Sequence, residues 1–189
     1  SSKSVLRKGE ISSMEQFCME ESEGCSQENI RFVLLKPDKL GLQLELPEGF
    51  YPMPEDRQSR YYPRKGRPEL IWENNCGVQI TMQLLKQQIK PDQIRSAAEE
   101  LCLLTEELFP KYRLSPVYLC EEGKLPAGWF LMEMTDMGKE HIKAVSTVRK
   151  EMILLTFTYP AKESIKWRSI IRQSFRTLDE NGDMTDGEN

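Results

Sequence analysis

Alternating apolar and polar positions predict β-strands over much of this chain. In residues 42–46 leucine alternates with glutamine and glutamate, and Pro47 ends the run, as in a half-buried strand. A short apolar run at residues 30–35 predicts another strand before it. Residues 69–85 predict a hairpin, because the Asn-Asn-Cys-Gly sequence at residues 74–77 tolerates the positive φ of a tight turn.

Two segments instead repeat apolar residues every three or four positions, which predicts amphipathic helices. The first covers residues 92–109, beginning after Pro91 and stopping before Pro110. The second lies near the end of the chain. Its regularly spaced inward positions are Trp167, Ile170, Ile171, Ser174, Phe175 and Leu178. Each helix therefore requires an apolar surface on which to pack.

Four more strands are predicted between the two helices, at residues 117–122, 129–135, 141–149 and 152–159. The joints between them are short, so successive strands are expected to pair antiparallel. The predicted fold class is α+β: an antiparallel β-sheet of about six to seven strands with amphipathic helices packed on it, an α/β/α sandwich.

The chain divides by composition into three segments. Residues 1–29 form a polar N-terminal arm rich in serine and glutamate, residues 30–178 a single α+β domain, and residues 179–189 an acidic flexible tail. Within the arm, a serine and a glutamate three positions apart have capping-box spacing and precede apolar residues at helical spacing. Both a short helix at residues 12–21 and a flexible arm fit this pattern.

Charge and composition argue against several classes of function. The net charge is −4 and basic residues are interleaved with acidic ones, so no nucleic acid is expected as a partner. No stretch approaches the ~20 apolar residues of a transmembrane helix. The five cysteines are scattered, which suggests buried thiols in a reducing compartment. The expected location is cytoplasmic, and a tethered lipoprotein domain is the alternative if an N-terminal signal was removed.

The sequence carries no recognisable catalytic pattern. It has one histidine, His141, no CxxC pair and no glycine-rich phosphate loop. We therefore expect no metal, no cofactor and no catalytic residues, and a protein that is not an enzyme. The weak alternative is an enzyme that uses Cys76 or His141.

The proline-rich segment at residues 47–68, predicted to be a loop, interleaves arginines with tyrosines. These residue types are enriched at protein interfaces, and long loops in compact domains often carry function. The same side chains are also suited to anchoring a loop on the sheet. The candidate interaction surface consists of Tyr51, Arg57, Arg60, Tyr61, Tyr62, Arg64 and Arg67.

The order of elements resembles that of the PsbP/Mog-like superfamily, including its DcrB-like bacterial branch. The resemblance covers roughly residues 30–178 and rests on residues 41–50, the hairpin at residues 69–85, residues 156–160 and Trp167. Branches of that superfamily include a photosystem extrinsic subunit, a Ran-binding nuclear factor, bacterial lipoproteins and chaperones for secreted effectors, which mostly bind proteins. The resemblance implies an antiparallel α+β fold and an interaction role. No functional residue carries over, because no functional motif is shared.

Two hypotheses for the function follow. The first is a non-catalytic protein-interaction or accessory domain, with the identity of the partner protein and the oligomeric state left open. The alternative is a small-ligand or lipid-binding domain. In that case four methionines line a pocket rather than fill the core, namely Met82, Met132, Met134 and Met152.

Overall fold

The computed structural model describes residues 29–37, 39–63 and 65–182. The helix predicted at residues 12–21 lies outside the described residues, as do Arg64 and residues 183–189. The strands are β1 (Phe32–Leu35), β2 (Leu42–Pro47), β3 (Tyr51–Pro52), β4 (Leu70–Glu73), β5 (Gln79–Gln88), β6 (Arg113–Leu114), β7 (Tyr118–Cys120), β8 (Ala127–Met134), β9 (Lys139–Val148), β10 (Glu151–Pro160) and β11 (Asp179–Glu180). The helices are α1 (Glu55–Tyr61), α2 (Ile94–Leu108) and α3 (Ser164–Phe175).

Eight of the strands form one antiparallel sheet. Its order is β3-β4-β5-β10-β9-β8-β6, and β7 pairs with β8 beside β6. Strands β9 and β10 have ten residues each, and Arg149 and Lys150 join them in the left-handed conformation, with φ of 50° and 67°. The predicted α+β fold is confirmed. The sheet has more strands than predicted because β3 and β6, at two residues each, are too short to show a periodicity.

Different elements cover the two faces of the large sheet. On one face α3 packs beside a separate three-stranded sheet of order β1-β2-β11, and Phe175 of α3 and Leu44 of β2 belong to one apolar cluster. On the other face α2 packs through residues such as Ala98 against Phe130 of β8. The layers follow from the two amphipathic helices, each of which buries its apolar side on the sheet.

Helix α2 approaches β8 most closely at Gly128. A Cβ atom added to Gly128 would lie 2.8 Å from the Cβ of Ala98 and 3.2 Å from the carbonyl oxygen of Ile94. A residue without a side chain is therefore required here for the helix to reach the sheet.

The prediction of a continuous loop at residues 47–68 is wrong, because β3 and α1 lie within it. Pro54 immediately precedes α1, acidic residues fill its first turn and Arg60 is in its last turn, an arrangement that fits the helix dipole. The helix stops just before Pro63, where a proline cannot continue it.

The first residues of the segment predicted as a tail belong to the sheet structure. Strand β11 pairs antiparallel with β2, and the backbone N–H of Asn181 donates to the carbonyl oxygen of Gly41 at 2.7 Å. Among the described residues, no helix is both long and apolar enough to cross a bilayer.

Candidate functional site

Arg57, on α1, forms an ion pair with a buried glutamate of β4. Its guanidinium donates to both carboxylate oxygens of Glu73, at 2.9 Å from Nε and 3.0 Å from Nη2. The side chain of Glu73 is 6 % exposed and that of Arg57 31 %. Because a buried carboxylate is costly without a charged partner, this pair holds α1 on β4.

Two tyrosines of the predicted surface also anchor this segment. Tyr62 is buried, and its hydroxyl donates to Oε1 of Gln79 on β5 at 3.0 Å. The ring of Tyr61 lies 5.0 Å from the guanidinium of Arg57 and 5.4 Å from that of Arg60. Tyr62 therefore anchors the segment to β5, and the ring of Tyr61 packs against Arg57 and Arg60.

The other predicted surface residues are spread along the segment. Arg67 pairs with Glu55 at 3.1 Å, and the hydroxyl of Tyr51 donates to Oδ1 of Asn75 at 3.0 Å. Arg60 is exposed, and Arg64 lies outside the described residues. That this segment binds a partner stays a prediction.

Replacing Arg57 with alanine is expected to lower the free energy of unfolding by about 2 kcal/mol or more, because the buried carboxylate of Glu73 loses its bidentate partner. The matched change Arg60→Ala is expected to alter it by less than about 0.5 kcal/mol, since Arg60 is exposed on the same helix. Urea unfolding of both variants, followed by tryptophan fluorescence, measures the difference. Equal effects of the two changes would rule out the anchoring role.

A groove opens on the opposite face of the sheet, between α3 and the β7–β8 edge. This α3 groove encloses a cavity of about 310 Å³, lined by Ser115, Tyr118, Trp129, Leu131, Arg168 and Arg172. A second cavity of about 220 Å³ adjoins it and reaches Arg176. Tyr118 is 47 % exposed, and its ring centroid lies 4.9 Å from that of Trp129. The groove therefore presents the Tyr118 ring to solvent, with the half-buried Trp129 ring packed against it.

The walls of the α3 groove are held by the core and by the backbone. The ring of Trp129 lies 5.9 Å from that of Phe175, which is fully buried. Ser115 makes two bonds to Leu131: its N–H donates to the Leu131 carbonyl at 2.9 Å, and its hydroxyl oxygen accepts from the Leu131 N–H at 2.8 Å. The groove is consequently lined mainly by β7, β8 and α3, and Ser115, in the connection between β6 and β7, is bonded to β8.

Arg168 bridges two carboxylates at one end of the groove. Its guanidinium bonds both oxygens of Glu140, at 2.6 Å and 3.1 Å, and lies 3.5 Å from Glu133. The two glutamates are directly opposite each other on β9 and β8, where their like charges would otherwise repel. Burial, followed by the neighbouring Glu140 carboxylate, raises the pKa of Tyr159 far above its ordinary value, so its phenol stays protonated.

Arg172, one helical turn after Arg168, is available for binding. It is exposed and makes no ion pair with any residue in the described ranges, whereas Arg176, a further turn on, pairs with Glu122 at 2.9 Å. Sequence reasoning identified the inward face of this helix and missed the groove. The four-residue spacing of the arginines was the available signal, because it aligns them along one side of α3.

The two residues of the enzymatic alternative are a disulfide-bonded cysteine and a buried histidine. Cys76 is disulfide-bonded, so it offers no thiol, and the prediction that all cysteines are reduced is wrong. His141 is fully buried, with its Nδ1 2.7 Å from the hydroxyl of Thr158.

Burial raises the pKa of the Cys102 thiol, and Glu106 and Glu99 add to the shift. Within the described ranges, no three His, Cys, Asp or Glu side chains converge as metal ligands do.

The four methionines of the ligand-binding alternative are buried, and they do not share a cavity. Met82 packs in the cluster beneath α3, and Met152 packs in the cluster beneath α2, on the opposite face of the sheet. Met132 and Met134 are also buried. At these positions methionine fills the core.

Comparisons with known proteins identify the fold. No protein-family model matches this chain, and no curated protein matches it. The solved structure of cyanobacterial PsbP (CyanoP) from Synechocystis sp. PCC 6803 is similar with a TM-score of 0.55 and 10 % sequence identity, over 84 % of this chain and 98 % of that chain. The structure of LpqN, described as involved in cell envelope biogenesis of Mycobacterium tuberculosis, gives a TM-score of 0.50 and 11 % identity, over 80 % of this chain and 91 % of that chain.

These two similarities confirm the predicted resemblance: the chain has a PsbP-like fold. Sequence identities of 10 % and 11 % establish the fold and leave the function to be argued from this chain's own residues.

Proposed function

We propose that this chain is a non-catalytic domain that binds another protein through the α3 groove. The observation that carries the proposal is the packed pair of the exposed Tyr118 and the half-buried Trp129 beside Arg172, an arginine with no ionic partner in the described part of the chain. Aromatic residues and arginine contribute most of the binding energy at protein interfaces, where the partner excludes water from them.

The edge of the sheet next to the groove suggests the form of the partner. Within the described residues, β6 and β7 pair only with β8, so their outer edges have no neighbouring strand. Such an edge can accept an extended segment through backbone hydrogen bonds. The partner segment would place an apolar side chain against Trp129 and a carboxylate against Arg172.

The disulfide at Cys76 supports the alternative location, outside the cytoplasm. Disulfides persist in oxidising compartments and are rare in the cytosol. A domain tethered at the cell envelope fits this observation, and one structural neighbour, LpqN, is described as involved in cell envelope biogenesis.

Selection of binding peptides from a displayed library tests the proposal. We expect selected sequences to combine an acidic residue with an aromatic or large aliphatic one, and Arg172→Glu to weaken their binding by about tenfold or more. Arg60→Glu, a charge reversal in the predicted Tyr/Arg segment, is the matched control and should leave binding unchanged. Loss of binding with Arg60→Glu and not with Arg172→Glu would assign the interaction to that segment instead.

A small anionic ligand with an apolar body is the second candidate. The cavity of about 310 Å³ is at the lower end of the size range of ligand pockets, and it combines Trp129 and Leu131 with Arg172. A thermal-shift screen of carboxylate and phosphate amphiphiles tests this candidate. A ligand that binds in the groove should raise the melting temperature of the unchanged protein but not that of Arg172→Glu.

A further inference from the structure

The α3 groove continues from its first cavity into a second one that holds a further arginine. The two cavities share Tyr118, Trp129 and Arg172, and the second adds Arg176 on the helix side. Arg176 follows α3 directly and keeps helical backbone angles, with φ −69° and ψ −12°. Because Arg172 and Arg176 are four residues apart, their positions lie about 6 Å apart along the helix axis. The groove therefore presents two arginine positions in series.

The strand side and the helix side border the groove in the same chain order. The strand side passes Ser115, Tyr118 and Glu122, and the helix side passes Arg168, Arg172 and Arg176. On each side the first residue lines only the first cavity, the middle residue lines both, and the last lines only the second. An extended segment laid along the outer edge of β7 would therefore pass Arg172 and Arg176 one after the other.

The repeat of an extended segment matches the spacing of these two arginines. Alternate residues of a β-strand project from the same face and lie about 6.6–6.8 Å apart. Tyr118 of β7 lies opposite Trp129, whose ring packs on Phe175 of α3, so both face the helix. In a strand added to β7, every second side chain would point to this face. Two acidic residues with one residue between them would then each meet one arginine.

Arg176 already has a carboxylate partner within the chain. Nε of Arg176 lies 2.9 Å from Oε2 of Glu122, and the two side chains are 55 % and 65 % exposed. An ion pair with this exposure contributes little to stability, so another carboxylate can replace Glu122 at low cost. The connection that carries Glu122 is held at the end of α3, because a Cβ atom at Gly123 would lie 2.8 Å from the carbonyl oxygen of Phe175. Glu122 therefore lies where a partner carboxylate would bind.

We infer that the partner segment of the α3 groove carries two acidic residues separated by one residue, followed or preceded at the same spacing by an apolar side chain. The inference rests on the proposed function. One carboxylate binds Arg172, and the other displaces Glu122 from Arg176. The apolar side chain packs on Trp129 and is next to the acid that binds Arg172, because Arg172 lines both cavities and Arg176 only the second.

Capped synthetic peptides test the spacing on the intact 189-residue chain. The probe is Thr-Glu-Thr-Glu-Thr-Phe-Thr, which is also made in reverse order because a strand can add to β7 in either direction. Its spacing control, Thr-Thr-Glu-Glu-Thr-Phe-Thr, has the same composition, and its two glutamates point to opposite faces of a strand. In isothermal titration calorimetry we expect the control to bind at least about fivefold more weakly than the probe.

Substitutions at Arg176 and Arg172 test which arginine meets which acid. Arg176→Gln should weaken binding of the probe by about fivefold or more, because one of its two carboxylates loses its partner. The same change should leave the single-acid peptide Thr-Thr-Thr-Glu-Thr-Phe-Thr within about twofold of its affinity for the unchanged chain, whereas Arg172→Gln should weaken both peptides. Lys162→Gln, which removes an exposed charge that does not line the groove, is the control.

Substitutions at Glu122 and Glu121 test the displacement. Glu122→Gln should strengthen binding of the probe by about threefold, because the competing carboxylate is lost. Glu121 lines the same cavity and makes no ion pair with any described residue. Glu121→Gln should therefore change the affinity by less than about 1.5-fold. In the Arg176→Gln chain, Glu122→Gln should have no effect.

The inference fails if the spacing control binds as tightly as the probe, or if the probe binds in neither direction. It also fails if Arg176→Gln weakens the single-acid peptide as much as the probe, or if Glu121→Gln and Glu122→Gln have equal effects. The proposed function is decided separately, because it requires only that peptides selected from the library lose affinity in Arg172→Glu. Selected peptides with one acidic residue, or with acids at another spacing, would support the proposed function and overturn this inference.

Discussion

Replacing Phe175 with alanine is expected to lower the free energy of unfolding by about 3–5 kcal/mol. Phe175 is fully buried at the end of α3, and its ring centroid lies 5.7 Å from that of Phe157 and 5.9 Å from that of Trp129. Its removal leaves a cavity between the helix and the sheet, and it takes away the support behind Trp129. Phe175→Ala should therefore disturb the wall of the α3 groove as well as destabilise the core.

Denaturant unfolding of Phe175→Ala and Phe175→Leu separates the two contributions. Leucine retains most of the apolar volume, so its loss should be below about 1.5 kcal/mol. A loss below about 1 kcal/mol for the alanine variant would mean that this part of α3 does not support the fold. Binding of a selected peptide, measured under conditions where Phe175→Ala remains folded, should also weaken, because in the proposed function the partner segment packs against the ring of Trp129.

The strands were predictable where the apolar pattern corresponds directly to the packing. In β2 the alternating leucines all enter the core cluster of α3, so period-two alternation identified the strand and its buried face. Strand β9 is buried on both faces and includes Lys143 and His141 as buried residues. Its β-branched residues and short turns predicted the strand, whereas burial of the two polar side chains depends on what covers the sheet.

Helix α1 was not predicted, because it has only seven residues and lies among prolines. Propensity acts weakly over so short a length, and tertiary contacts decide whether the helix forms. Here the deciding contact is the ion pair of Arg57 with Glu73, sixteen residues away. The sequence shows both charges but does not show which arginine pairs with which glutamate.

The same limit applies to the α3 groove. Tyr118, Trp129 and Arg172 belong to three separate segments that only the folded sheet and helix bring together. The composition of residues 51–67 drew attention to a tyrosine- and arginine-rich segment, and most of its described side chains contact the protein itself. Residue types enriched at interfaces are equally suited to anchoring a segment within its own protein. Only the contacts that each side chain makes in the folded structure show which of the two roles it has.

Replacing Arg168 with alanine is the second change expected to have a large effect, with a loss of about 3–5 kcal/mol. The Glu140 side chain is 7 % exposed and would keep its charge without a cation. It would also face Glu133, its neighbour across the strands, with no positive charge between them. Arg168→Lys should recover part of the loss, because a lysine restores the charge but cannot bond both carboxylate oxygens.

The matched variant is Arg172→Ala, one turn further along the same helix. Arg172 has no ionic partner in the described ranges, so its removal should change stability by less than about 0.5 kcal/mol. Urea unfolding of both variants, paired with peptide binding, gives opposite expected results: Arg168→Ala loses stability, and Arg172→Ala loses binding. Of two arginines on one helix face, Arg168 would then stabilise the sheet and Arg172 would recognise a partner. Equal losses of stability would show that Arg172 is structural, and the α3 groove would lose the cation on which the proposed function depends.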